Sequence, residues 1–405
     1  MTDSSSQPST SPPRPGLAII INSLPPYRFH VHRRIATELP EFQLHTVLTH
    51  ELGSDAWAPA QWDQIGAISF GKGESALDQA RLSRAPHEWA KGGRIIRWMK
   101  EHDIRAVVCA GYNDAARMRI IRWCHRHGIP CFIWGDSNIR GDLATGIKAA
   151  IKKIYVGWVM RQASGALPFG QLGVEFFAKY GMEKSGNFLM PLEPDYALIE
   201  QIAPQQIEQA RARFGLVADR RRIIFIGRMV TAKRPDLLLQ AFIAIADQRP
   251  NWDLLMLGEG PLRRQLMTNV PAALKSRVIW TGFVNDQAVV GALSRASDIL
   301  VLPSDYEPWA LVVNEAAAAG LAMICTNVVG AAAELVRDGV NGFLFAPGDL
   351  QSLQQYLLEA TDPGRIDSLK IASANVLADW RKRADPVEGL RAALRSVGAM
   401  LRIHQ

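Results

Sequence analysis

The chain has 405 residues, 48% of them hydrophobic, and 46 Lys/Arg against 39 Asp/Glu give a formal net charge of +7. That length exceeds what one core normally organises, so two domains of similar size are expected. No run of about 18 apolar residues occurs, so no transmembrane helix is expected, and the Ser-, Pro- and Thr-rich first fifteen residues lack the apolar stretch of a signal peptide.

The charge is uneven. Residues 1–190 hold 23 basic and 16 acidic residues, whereas 191–405 hold 23 of each. A basic half beside a neutral one fits an anionic membrane surface, an acidic acceptor or nucleic acid, or a solvated surface with no partner. No nucleic-acid-binding module is recognisable, so no nucleic acid is expected as a partner. Cys109, Cys124, Cys131 and Cys325 show no zinc or redox spacing and read as core thiols of a reducing, cytoplasmic compartment.

Residues 1–15 read as disordered. Short apolar runs then alternate with stretches of helical period, the pattern of parallel sheets with crossover helices. Strands are expected near Leu17–Ile21, Leu44–Leu48, Ala67–Phe70, Ala106–Ala110, Pro130–Trp134 and Ala166–Phe169. A second set is expected near Ile223–Ile226, Leu254–Leu257, Val278–Trp280, Ile299–Leu302, Ala322–Cys325 and Phe343–Phe345. Each half is then a doubly wound α/β unit. The Pro- and acid-rich text PLEPDYALIEQIAP marks the junction. The expected division is 16–195, 196–385, and a terminal helix in 386–405 that packs back towards the first domain.

In the first domain the loop and helix start after the first strand carry Tyr27, Arg28 and His30, Tyr112 follows a later strand, and Asp136 lies in CFIWGDSN. These residues are expected on the acceptor side. Asp136 reads either as a base that orients an acceptor hydroxyl or as a helix cap. The pair His30-x-His32 lacks further ligands at suitable spacing, so no metal site is expected. The stretch KAAIKKIYVGWVMRQ places Ile151, Ile154, Tyr155, Trp158 and Val159 on one face and Lys148, Lys152 and Lys153 off it. It reads as a core stripe or as a helix lying on a membrane.

The second half carries the chemistry. FIGRMVTAKRPDLLLQAF runs from strand to loop to helix and presents Arg228 and Lys233 at the strand end. Two cations there suit a diphosphate, each charge-assisted hydrogen bond contributing roughly 1.5–3 kcal/mol, or else form a basic turn closed by Asp236. In LLMLGEGPLRRQL, Gly258 and Gly260 leave room for a base or ribose to approach the backbone, or make an ordinary turn. LPSDYEPWALVVNEAAAAG places Glu307 in a loop and Glu315 in the helix after Pro308. Their separation by seven residues carries nothing alone, since Glu175 and Glu183 show it too. The free amides from Trp309 through Ala310 and Leu311 to Val312 form a helix start that favours an anion.

In this order the motifs, with GAAELVRDGVNGFLFAPGD after them, resemble the donor domain of family 4 glycosyltransferases. The resemblance covers roughly residues 222–350. It implies a GT-B fold: two doubly wound, Rossmann-like domains facing a cleft. It implies a retaining transferase that uses a nucleotide-sugar donor. Arg228 and Lys233 would contact the phosphates, Glu307 the sugar hydroxyls and Glu315 the ribose, while Gly258, Gly260, Phe283 and Val284 would frame the base. Glu307, Asp136 and Lys233 are the candidate catalytic residues. The family usually has Gly at Ala310, so Ala is expected to fit only if its φ is negative. No Asp-x-Asp occurs, so transfer without a metal or other cofactor is expected. The acceptor is expected to be a saccharide or lipid-linked saccharide of a cell-surface polymer, met by a cytoplasmic protein at the inner face of an anionic membrane. Alternatives are an epimerase-like enzyme or a nucleotide-binding scaffold without turnover.

Overall fold

The computed structural model describes residues 14–52 and 62–400. Of the segment expected to be disordered, 1–15, all but residues 14 and 15 lie outside the described residues, as do residues 401–405 of the expected terminal helix segment.

All twelve expected strands form. The first six are β1 (Gly16–Ile21), β2 (Gln43–Leu48), β3 (Ala67–Ser69), β4 (Ile104–Ala110), β5 (Cys131–Gly135) and β6 (Gly165–Pro168). The second six are β7 (Arg221–Ile226), β8 (Trp252–Leu257), β9 (Val278–Gly282), β10 (Ile299–Leu302), β11 (Ala322–Thr326) and β12 (Gly342–Phe345). Strands such as β1, GLAIII, and β10, ILVL, are buried at every position. Helices cover both faces of a doubly wound sheet, which is why these runs are continuously apolar rather than alternating.

The first sheet has the order β3-β2-β1-β4-β5-β6 and the second β12-β11-β10-β7-β8-β9. Read from its other edge, the second repeats the order of the first. The described registers, β1 with β2 and β4, and β7 with β8 and β10 among them, are parallel. In each sheet the winding reverses once, between β1 and β4 and between β7 and β10, and a crevice opens there at the carboxyl ends of the strands.

By contacts the chain groups into two units. One comprises residues up to Ile133 with Arg161–Gly165 and the segment from Arg391, and the other comprises Trp134–Met160 and Ala166–Leu390. The loop after β5 and the helix after β6 therefore belong with the second sheet. Within the first unit, Arg391 donates to the Glu38 carbonyl. The segment between the sheets includes the short helix Tyr196–Glu200, whose start Asp195 caps by accepting the Leu198 amide at 3.3 Å. All four cysteines are free and buried. Among the described residues no helix is long and apolar enough to cross a membrane.

Candidate functional site

At the switch point of the second sheet, the loop after β7 (residues 227–234) meets the loop after β10 (residues 303–310). The Asp305 amide donates to the Ala232 carbonyl at 2.9 Å. Arg234 reaches Asp236 at 3.1 Å and Asp305 at 3.5 Å. Lys233 Nζ donates to Glu307 Oε2, and this ion pair is largely shielded, with side chains 20% and 12% exposed. Two expected site residues are thus brought into contact. Arg228 is exposed and has no side-chain partner among the described residues. One committed cation and one uncommitted cation therefore stand at the same strand end.

The glycines of the GEG turn have a physical cause that the sequence does not reveal. A Cβ on Gly258 would lie 1.9 Å from the Gly227 carbonyl oxygen, at φ +137°, and one on Gly260 would lie 2.5 Å from the Met229 oxygen. The room left by the absent side chains is filled by the backbone of the neighbouring loop. The Gly227 amide donates to Leu257 O at 3.0 Å, the Met229 amide to Glu259 O at 2.7 Å, and the Gly258 amide to Gly282 O at 3.0 Å. The ends of β7, β8 and β9 are thereby tied in one layer. Directly after β9, Phe283 is 59% exposed and Val284 half-buried.

Ala310 departs from expectation. It is left-handed, at φ 72° and ψ 80°, and caps the helix Leu311–Ala318. Alanine was expected there only at negative φ, and the left-handed region costs a Cβ-bearing residue roughly 1–2 kcal/mol. The surrounding loop imposes this conformation. The Val313 amide bonds back to Ala310 O at 3.0 Å, and no side chain caps the helix, so the Leu311 and Val312 amides keep their capacity for an anion.

Glu315, one turn into that helix, is half-buried and has no ion-pair partner among the described residues. Burial pushes its carboxyl up to about 7. The folded chain holds this proton better than the unfolded chain, whose value is 4.5, so ionising Glu315 lowers stability as pH rises from 4.5 through about 7. The resemblance sets ribose hydroxyls against Glu315, and an ionised carboxylate accepts them on both oxygens with the strength of a charged acceptor, whereas protonation removes that charge and turns one oxygen into a donor. Nucleoside diphosphate affinity is therefore expected to weaken as pH falls below about 7. Titration calorimetry across pH checks this. Glu315→Gln should lose that dependence, leaving only the ligand's own phosphate titration, and an unchanged pH profile would remove Glu315 from ligand binding.

The Trp309 side chain is structural. Its Nε1 donates to Leu192 O at 3.2 Å, and its ring meets Phe169 edge-on at 5.7 Å. The loop around it is held from two sides. The Gly330 amide donates to Glu307 O at 3.2 Å and the Ala331 amide to Trp309 O at 2.8 Å. Gly330 is required, because a Cβ there would lie 2.1 Å from Pro308 O. On the other side buried Asn138 donates to the carbonyls of Pro308 at 3.0 Å and Glu307 at 3.3 Å. A cavity with room for about one water lies between these loops, lined by Asp136, Asn138, Trp309 and Gly330 among others.

Asp136 is exposed immediately after β5. The next helix begins only at Gly146, so Asp136 is not its cap. Burial and then the carboxylates of Asp136 and Glu307 push the Tyr306 phenol up from its ordinary value, which puts Asp136 within electrostatic reach of the Glu307 loop. Asn138 and Tyr306 were not singled out in the sequence. Each sits one or two residues from a residue that was, inside CFIWGDSN and YEPW, and only that adjacency could have pointed to them.

The acceptor-side candidates Tyr27, Arg28 and His30 lie at the start of the helix Pro26–Glu38, and Tyr112 is buried after β4. Arg28 is engaged in shaping the first loop, donating to Asn22 Oδ1 at 2.6 Å and Ser23 O at 3.1 Å. His32 is buried with Nδ1 2.7 Å from Thr46 Oγ1, and burial, aided by Arg28, pushes its imidazole down to about 3. Elsewhere in this unit, ligand atoms of His50, Glu74 and Glu88 lie within 4.8 Å of one another. A cation already stands among them: Lys91 Nζ is 2.9 Å from Glu74 and 2.9 Å from Glu88.

Residues 206–375 match the family model described as glycosyl transferases group 1. The 2-deoxystreptamine glucosyltransferase of Streptomyces kanamyceticus is 28% identical over 211 residues, 51% of this chain and 53% of that protein. An uncharacterised glycosyltransferase of Methanocaldococcus jannaschii is 31% identical over 144 residues, 35% of this chain and 36% of that one. The chain thus spans about a third to a half of the length of these curated relatives. The crystal structure of Anabaena HepE with UDP and glucose superposes with a TM-score of 0.69 at 19% identity, covering 95% of this chain and 100% of that one. At this identity the likeness is one of fold, and the fold is GT-B.

Proposed function

We propose that the chain, whose residues 206–375 match the family model of glycosyl transferases group 1, transfers a sugar, with retention and without a metal, from a nucleotide diphosphate-sugar to a saccharide or lipid-linked acceptor. The observation that carries this reading is the Lys233–Glu307 pair at the β7/β10 switch point, beside free Arg228 and the uncapped amides of Leu311 and Val312.

In transfer, the bond between the anomeric carbon and the diphosphate oxygen breaks and a bond to the acceptor oxygen forms. Negative charge develops on the leaving diphosphate. Arg228, Lys233 and the two amides are assigned to neutralise it, the task that a metal performs in other transferases. Retention is assigned to same-face attack, with the acceptor proton passing to the departing phosphate. Glu307 then orients sugar hydroxyls rather than forming an adduct. Asp136, beside Tyr306 and the Glu307 loop, is assigned to the acceptor hydroxyl. The acceptor is assigned to cell-surface polysaccharide or glycolipid synthesis at the inner face of an anionic membrane, which fits the basic first half.

The UDP and glucose in the HepE structure make a UDP-sugar the first donor to test. In a panel of UDP-, GDP- and ADP-sugars, one is expected to raise the melting temperature and to release nucleotide when acceptor is supplied, in the presence of a chelator. Activity lost to chelator and restored by Mg²⁺ or Mn²⁺ would end the metal-independent reading. Binding without turnover would favour a nucleotide-binding scaffold, and no shift with any donor would reject donor binding.

A further inference from the structure

We propose that Leu143, Ile147, Ile151 and Ile154 form a docking surface for an anionic lipid bilayer. This deepens the membrane part of the proposed function and rests on it. The four side chains are 61% to 79% exposed, and all lie in one unit. Ile147, Ile151 and Ile154 share one face of the helix Gly146–Gln162, and Leu143 is exposed in the loop three residues before the helix start. The face expected from the sequence is divided: Ile151 and Ile154 are exposed, whereas its other three members are covered. Val159 is buried and Tyr155 and Trp158 are half-buried, so these three serve the protein side; Trp158, four residues after Ile154, continues the same face, which is exposed over the first half of the helix and covered towards its end. Contiguous aliphatic side chains at such exposure mark an interaction surface.

Charge selects the occupant. The 17-residue helix holds four basic residues and no acidic one. Lys148 and Lys153 flank the stripe on opposite sides, exposed and without a partner among the described residues. Lys152 is turned to the protein. Its Nζ lies 2.6 Å from Asp142, which also accepts from Lys179 Nζ at 2.6 Å and Tyr180 OH at 2.7 Å. Against the opposing effect of burial, these hydrogen bonds hold the Asp142 carboxyl down to about 2, so the nearby acid is already neutralised by protein cations. Two copies meeting through this face would confront lysine with lysine. A bilayer of anionic lipids accepts the aliphatic stripe at its acyl boundary and the lysines at its phosphates.

The test is co-sedimentation of the full chain with phosphatidylglycerol-containing vesicles and with vesicles of phosphatidylcholine alone. Wild type should bind the anionic vesicles, more weakly as salt rises. Ile151→Asp and the pair Lys148→Ala with Lys153→Ala should each weaken that binding about tenfold or more. Both variants should keep the wild-type circular dichroism and the nucleotide-induced melting shift, since neither touches the switch point. Wild type failing to bind, or the variants binding as wild type does, overturns the proposal. So does light scattering that finds a wild-type dimer dissolved by Ile151→Asp, which would give the face to a second copy. Failure of every donor sugar with vesicle binding intact would instead count against the transferase reading alone.

Discussion

Lys233→Ala is expected to lower kcat/KM for transfer about 10²- to 10³-fold, the scale on which removing one preorganised donor to developing charge acts. Nucleoside diphosphate binding should weaken about tenfold or more, from loss of one charge-assisted hydrogen bond of roughly 1.5–3 kcal/mol. The ion pair adds a second, sharper expectation. In the free protein Glu307 engages the Lys233 ammonium and so competes with a diphosphate for it. Glu307→Gln removes that competitor without removing the cation. Diphosphate affinity should then hold or rise while transfer falls about 10²-fold, because the sugar loses its carboxylate. Calorimetry with nucleoside diphosphate and a coupled transfer assay separate the two effects. Lys233→Ala binding diphosphate as wild type does would remove Lys233 from the phosphate site, and Glu307→Gln transferring at the wild-type rate would remove Glu307 from the chemistry.

Gly258→Ala is expected to destabilise the second unit by about 3 kcal/mol or more, the sum of a strained φ and forced overpacking. The added Cβ has no soft neighbour: it meets the Gly227 carbonyl oxygen at 1.9 Å and its carbon at 2.9 Å. The loop cannot yield locally, since Gly227 and Met229 are bonded to the 257–259 backbone. Any yielding moves Arg228, so lost stability should be accompanied by weakened diphosphate binding. Thermal melting with and without nucleotide measures both. A variant that melts like wild type yet loses nucleotide binding would assign the glycine to ligand contact rather than to loop packing.

Strand positions were legible because the signal is local. A strand buried on both faces must be continuously apolar, and runs such as ILVL at Ile299–Leu302 declare this without reference to anything distant. Arg228, Lys233, Glu307 and Glu315 could be singled out because each follows a strand or opens the helix after one. Asn138 could not, since its three-way contact with carbonyls some 170 to 190 residues away leaves no periodic trace. Ala310 was misjudged for the same reason: its residue type argues for negative φ, and the packed loop overrides it. On the Gly146–Gln162 helix, period alone gave an apolar face and tertiary contacts decided which part of it is covered.

By itself, then, the sequence determined two sets of buried parallel strands with cations and carboxylates at their ends. Only the tertiary structure decided that Lys233 meets Glu307 across 74 residues. Strand order does that, because β7 and β10 are neighbours in space and not in sequence. Local composition fixes what each segment becomes. Which strand ends converge depends on the long-range hydrogen bonding of the sheet, which no single segment encodes.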